Sequence, residues 1–173
     1  VAIKVVQLEN LAENVLVLDC DVHQGDGTAA IFSSDPSVFT FSIHGARNFP
    51  FHKVPGNLDI ELDDGTGDAI YLQALKIGLD TAFKDFRGDL VIYLAGADPF
   101  YDDRLGRLGL TRQGLAERDK LVFSTCQQAG LPVAIVMAGG YARNVADTAA
   151  IHKETVYQAA NLYKSIPQEN HAC

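Results

Sequence analysis

Val15-Leu16-Val17-Leu18-Asp19-Cys20-Asp21-Val22-His23 decides the architecture. Its first four residues are a continuous apolar run, the pattern of a strand buried on both faces. The run ends in two aspartates and a histidine, after which Gly25-Asp26-Gly27 turns the chain. Thr28 to Phe32 then reads as one or two helical turns. Working outward, the alternation of helix and apolar strand repeats. Upstream, Val1, Val5, Leu8 and Leu11/Ala12 keep helical spacing, which predicts a helix over 1–13. Downstream, strands are expected at 38–43, 90–94 and 133–137.

Between the second and third strands, residues 44–68 read as a loop rich in Gly, Pro and Asp, of a length that is usually functional. Within it the acidic run Asp59 to Gly65 lacks calcium-loop spacing and reads as a solvated turn. Asp68 is expected to N-cap a helix whose Leu72, Leu75, Leu79, Phe83 and Phe86 share one face. Thr111 is the expected N-cap of the next helix, in which Leu115, Val122, Cys126 and Ala129 align, with Gly130 at its C-terminal turn. A last helix is expected over 145–163, followed by a polar tail. The pattern is that of an α/β domain: a mostly parallel sheet with helices on both faces.

Composition narrows the function classes. The 173 residues are 47% hydrophobic and 21% charged, which excludes disordered and fibrous chains. No apolar run reaches the length of about 18 residues that a membrane span needs, so no membrane partner is expected. The net charge of −8 argues against a direct nucleic-acid footprint and is compatible with a cationic substrate. Three cysteines, Cys20, Cys126 and Cys173, without a CxxC, read as free thiols in a reducing, cytoplasmic compartment.

Ligands of parallel sheets sit beyond the carboxyl ends of the strands. The polar clusters of this chain fall there: Asp19, Asp21 and His23 after the first strand, Asp98 after the third, Gly139-Gly140-Tyr141 after the fourth. In extended backbone Asp21 and His23 point the same way, while Cys20 points away into the core. Two carboxylates and an imidazole match an open catalytic zinc site, and by ligand type also non-haem iron; a turn-capping aspartate beside a polar histidine has the same spacing. Tyr141, behind two glycines, can donate to a developing oxyanion or be a surface aromatic. Gly25-Asp26-Gly27 lacks the further glycine and the Lys-Ser/Thr of nucleotide loops. Asp-x-Asp also opens aspartate-nucleophile phosphatases, but those need Gly-Thr where Val22-His23 stands.

Leu18-Asp19-Cys20-Asp21-Val22-His23-Gln24-Gly25-Asp26-Gly27-Thr28 resembles the central signature of the histone deacetylase superfamily, which includes acetoin-utilisation proteins and acetylpolyamine amidohydrolases. Ala95-Gly96-Ala97-Asp98 and Ala138-Gly139-Gly140-Tyr141 follow in the family's order. Gln24, where many members carry a second histidine, and Asp103-Arg104-Leu105-Gly106 make the chain most similar to the class IV-related, largely bacterial subgroup. The resemblance implies an arginase/deacetylase-like fold and zinc-dependent hydrolysis of an acetyl-amide, from an acetylated protein or a small acetylamine. It implies zinc ligands Asp21, His23 and Asp98, and Tyr141 as the hydrogen-bond donor to the substrate oxyanion. Asp19 and Asp26 match carboxylates that orient two active-site histidines. Asp19, Asp21, His23, Ser42 and Ile43 match the residues around a structural potassium ion. Phe49, Leu105, Gly139 and Gly140 fall at the acyl-lysine channel.

Family members use an adjacent histidine pair for acid–base work, and this chain contains no His-His dipeptide. With an opening that reads as the interior of a helix, this leads to the expectation that residues 1–164 are the C-terminal part of a catalytic domain, that 165–173 are its tail, and that the sheet is incomplete on its N-terminal side. The missing part would then be an N-terminal half or an associated chain. The alternative expectation is a short metal-binding or interaction module without deacetylase activity.

Overall fold

The computed structural model describes residues 1–165; the remainder of the expected tail lies outside the described residues. These hold five strands, β1 (Val15–Asp19), β2 (Val38–Gly45), β3 (Leu58–Leu62), β4 (Leu90–Gly96) and β5 (Val133–Ala138), and five helices, α1 (Ala2–Leu8), α2 (Asp26–Phe32), α3 (Asp68–Asp85), α4 (Arg112–Gln128) and α5 (Val145–Ser165), alternating except that β3 follows β2 directly. The strands form one parallel sheet in the order β3-β2-β1-β4-β5.

All five residues of β1 are buried, as its unbroken apolar run requires. Alternate side chains feed two cores. Leu16 and Leu18 join Leu75 and Leu79 of α3, Leu115 and Val122 of α4 and Ile151 of α5 in the main core. Val15 and Val17 join Ile3 of α1 and Val38 of β2 on the opposite face. Helices therefore cover both faces. On the α1 side the cover thins toward β5, where Val136 is 43% exposed.

The structure departs from the expected elements in several places. The first helix stops at Leu8, because Asn10 adopts φ +55°; Asn10 N then bonds Gln7 O and Leu11 N bonds Val6 O, closing a Schellman turn. The expected loop 44–68 contains β3. Asp59 and Glu61 are edge-strand residues and not parts of a solvated turn, and β3 pairs with β2 in parallel. Asp68 opens α3 but does not cap it; its carboxylate accepts from Thr111 N at 2.8 Å and Thr111 Oγ1 at 2.7 Å, joining the starts of α3 and α4. Thr111 caps α4 as expected, accepting from Gly114 N at 3.0 Å. Ala129 is exposed, whereas Arg118 and Asp119 of the same helix are buried. The last helix runs through Ser165. Among the described residues no helix is long and apolar enough to cross a membrane.

Candidate metal centre

β1, β4 and β5 end side by side, so the segments that follow them share one rim. Beyond β1 the chain folds through two local side-chain bonds. Asp19 Oδ1 accepts from Asp21 N at 3.0 Å, and Asp21 Oδ1 accepts from His23 N at 2.9 Å. This brings His23 back over Asp21, with Nδ1 at 2.9 Å from Asp21 Oδ1 and 3.3 Å from Asp98 Oδ2. Asp98, 1% exposed, accepts from Val22 N at 2.9 Å through Oδ1. One ligand atom from each of Asp21, His23 and Asp98 lies within 4.8 Å of the others.

The loop after β5 packs against the cluster. Gly139 has φ +51°, and a Cβ there would overlap Asp98 Oδ2 and lie 2.6 Å from Asp21 Oδ2. Only a glycine lets the backbone pass this close to the two carboxylates.

The electrostatics follow from crowding two carboxylates around an imidazole. Hydrogen bonds to Asp21 and then Asp98 raise His23 to about 10. Burial raises Asp98. Burial also works against the charge on Asp21, but the hydrogen bonds with His23 outweigh it and hold its carboxyl below the ordinary value. Asp19, 5% exposed, is pushed by burial to about 8.

The other candidates lie around this cluster. Asp26 opens α2, half-buried and outside the cluster. Ser42 and Ile43 are buried on β2, Ser42 in register with Asp19 and its Oγ 2.9 Å from His44 Nδ1. Phe49 and Leu105 are exposed on two loops knitted together by buried Asn48, whose side chain donates to Leu105 O at 2.9 Å and accepts from Arg107 N at 3.2 Å. The Phe49 loop is tied to the cluster by Gln24 N, which donates to Phe49 O at 3.3 Å. Tyr141 follows Gly140, which has φ +122°, and its ring is exposed while its backbone is held from both sides. Its N–H donates to Asp103 Oδ2 at 2.5 Å, and its carbonyl accepts from Arg104 N at 3.2 Å and Nε at 3.1 Å.

Sequence reasoning used Asp103 only as a motif residue and gave it no structural role, yet it also accepts from Leu105 N and Gly106 N at 2.8 Å each. Its spacing to Gly106, that of an aspartate turn, was the available signal. Reasoning from apolar spacing also passed over Arg118 and Asp119.

The chain is similar to known proteins over almost its whole length. The family described as histone deacetylase domain matches residues 1–156. An uncharacterized protein of Picosynechococcus sp. is 46% identical over 163 residues, covering 94% of this chain and 54% of that protein. Histone deacetylase 2 of Arabidopsis thaliana is 32% identical over 141 residues, covering 78% of this chain and 36% of that protein. An acetylpolyamine aminohydrolase from Burkholderia pseudomallei superimposes with a TM-score of 0.77 at 23% identity, over 90% of this chain and 47% of the other, which shows the same fold. The chain thus spans about half the length, or less, of these relatives. With its parallel sheet, its rim and this match together, the chain belongs to the histone deacetylase domain family.

Proposed function

We propose that the rim serves zinc-dependent hydrolysis of an acetyl-amide. The observation that carries this reading is the convergence of Asp21, His23 and Asp98 from two strand ends, in a chain of the deacetylase family. The donor set fits zinc: one imidazole and two carboxylates, with a coordination position left open. The bare backbone of Gly139 lies against both carboxylates and puts no side chain between them, which is compatible with an ion there. Asp21, His23 and Asp98 would hold the metal, and bound zinc would polarise an amide carbonyl and acidify a water.

The chain's own groups divide the remaining work. Asp98 is oriented by Val22 N, so its second oxygen faces the cluster. The Tyr141 phenol would donate to the substrate carbonyl oxygen as that atom gains negative charge. Asp103 and Arg104 hold the Tyr141 backbone, which limits where the phenol can reach. The proton taken from water and the proton given to the leaving amine need a base and an acid. Asp19 and Asp26 are the carboxylates that would orient such histidines, and the histidine pair itself is absent from these 173 residues. On this reading the chain supplies the metal ligands and the oxyanion donor, and the acid–base pair comes from further chain or an associated one. A potassium ion held among Asp19, Asp21, His23, Ser42 and Ile43 belongs to the same reading, supported by the Asp19–Ser42 register.

The names of similar proteins point to two substrate kinds, an acetylated histone and an acetylpolyamine. Both present the same scissile bond, and Phe49, Leu105, Gly139 and Gly140 would line its approach.

A hydroxamate, a bidentate zinc ligand, tests the reading. The zinc-loaded chain is expected to bind it 1:1 in calorimetry, and the Asp98→Asn variant is expected not to. The chain alone is expected not to turn over an acetyl-lysine peptide. Absence of hydroxamate binding by the loaded wild type would sink the metal site. Turnover by the chain alone that is lost in Tyr141→Phe would sink the placement of the acid–base pair outside it.

A further inference from the structure

Beneath the rim lies a charged cluster that the proposed chemistry does not use. Arg118 of α4 is 0% exposed, under the ends of β1 and β4. Its Nη1 donates to Gly96 O at 2.5 Å and reaches Cys20 O at 3.4 Å. Its Nε and Nη2 meet Asp119 Oδ1 at 2.9 and 2.8 Å. Asp119 is completed by Tyr93 of β4, whose hydroxyl donates to Oδ1 at 2.5 Å, and by Thr155 of α5, whose hydroxyl donates to Oδ2 at 2.5 Å.

The two carbonyls are placed tellingly. Cys20 directly precedes Asp21, and Gly96 stands two residues before Asp98. The two segments run so close together that a Cβ on Gly96 would lie 2.6 Å from Asp21 Cα. Asp21 and Asp98 thus leave strand ends that one guanidinium touches together. A fully buried ion pair is weak evidence for stability, since apolar side chains of similar volume often do as well or better. Its better attested use is to specify one arrangement, and Arg suits that use because its rigid fork can serve several acceptors at once.

We propose that Arg118 is a positioning residue for the metal centre: by bonding Cys20 O and Gly96 O from a single guanidinium anchored on Asp119, it sets the spacing of the strand ends that carry Asp21 and Asp98. The proposal rests on reading Asp21, His23 and Asp98 as ligands. Lys at 118 would keep the charge beside Asp119, but a compact ammonium cannot span both carbonyls and the carboxylate.

The test measures zinc affinity by competition with a chromophoric chelator, and the visible spectrum of the Co²⁺-loaded chain as a readout of ligand geometry. The variants are Arg118→Lys and Arg118→Met, with Leu79→Ala as a destabilised core reference far from the rim in role. Both arginine variants are expected to bind zinc about 10–100-fold more weakly, the scale for groups that orient metal ligands, with a changed Co²⁺ spectrum. Leu79→Ala is expected to leave both readouts as in wild type. The proposal is overturned if Arg118→Lys binds zinc within about threefold of wild type with the same Co²⁺ spectrum, or if Leu79→Ala weakens binding as much. It is also overturned if Arg118→Lys fails to fold while Leu79→Ala folds, because the pair would then serve the fold itself. A wild-type chain that binds no zinc overturns the ligand reading and this proposal together, a result distinct from all of these.

Discussion

Val22 N donates to Asp98 Oδ1 at 2.9 Å, bonding the segment after β1 to the segment after β4 across 76 positions of sequence. The bond leaves Asp98 Oδ2 toward His23, at 3.3 Å. The two oxygens of one carboxylate therefore have separate duties, one to backbone and one to the cluster. Asn at 98 can keep the first duty and lose the second. Asp98→Asn is expected to retain the fold by circular dichroism while zinc affinity in a chelator competition falls by at least about tenfold. Equal zinc affinity in the variant would exclude Asp98 as a ligand.

Gly139→Ala should be more damaging than its size suggests. A left-handed conformation costs an L-residue about 1–2 kcal/mol, and the new methyl would overlap Asp98 Oδ2. Loss of zinc binding is expected with modest loss of stability, read by calorimetry and denaturant unfolding. Unchanged stoichiometry of one zinc in the alanine variant would show that the cluster is not where the ion sits.

The metal-free chain should lose stability as pH rises from 6 to 9. His23 is raised from 6.5 to about 10, so its contribution is complete below pH 6.5 and fades as pH approaches 10. Asp19 is raised from 3.8 to about 8, so its contribution fades between those values. Both groups hold protons in the folded state that the unfolded chain has released, which gives the same sign. Urea unfolding in the presence of a chelator measures the slope. Zinc takes neutral imidazole, so its binding at pH 8 should expel a proton and strengthen with rising pH. Calorimetry in buffers of different ionisation enthalpy checks the proton count, and a count of zero would exclude His23 as a ligand.

The core and the buried ion pair should respond differently to truncation. Leu75 and Leu79 are buried between α3 and the sheet, and Leu75→Ala is expected to cost about 2–5 kcal/mol in denaturant unfolding. Arg118→Met leaves the Asp119 carboxylate buried without its cation, an expected loss of about 3–5 kcal/mol. A loss below about 1 kcal/mol would mean that Tyr93 and Thr155 alone satisfy Asp119.

What was legible in the residues is what repeats. β1 could be read because its apolar run is uninterrupted, and the rim because parallel strands end on one side. β3 was hidden because it is an edge strand carrying Asp59 and Glu61, whose charges resemble a solvated turn. Arg118 and Asp119 stand three and four residues after Leu115, on the buried face of α4, but apolar spacing cannot show a charge that finds its partners from β1, β4 and α5. The role of Asp103 was hidden for a related reason: its partner Tyr141 is 38 residues away. The members of the Asp21, His23 and Asp98 cluster could be named from local motifs, whereas what holds them in place depends on contacts that only the fold assembles.

The most direct test of the metal centre is a crystal structure of the zinc-soaked chain, with anomalous differences collected on both sides of the zinc edge. One peak is predicted, bounded by Asp21, His23 and Asp98 and adjacent to Gly139. A zinc peak elsewhere, or an empty cluster at zinc concentrations that saturate binding in solution, would contradict the account.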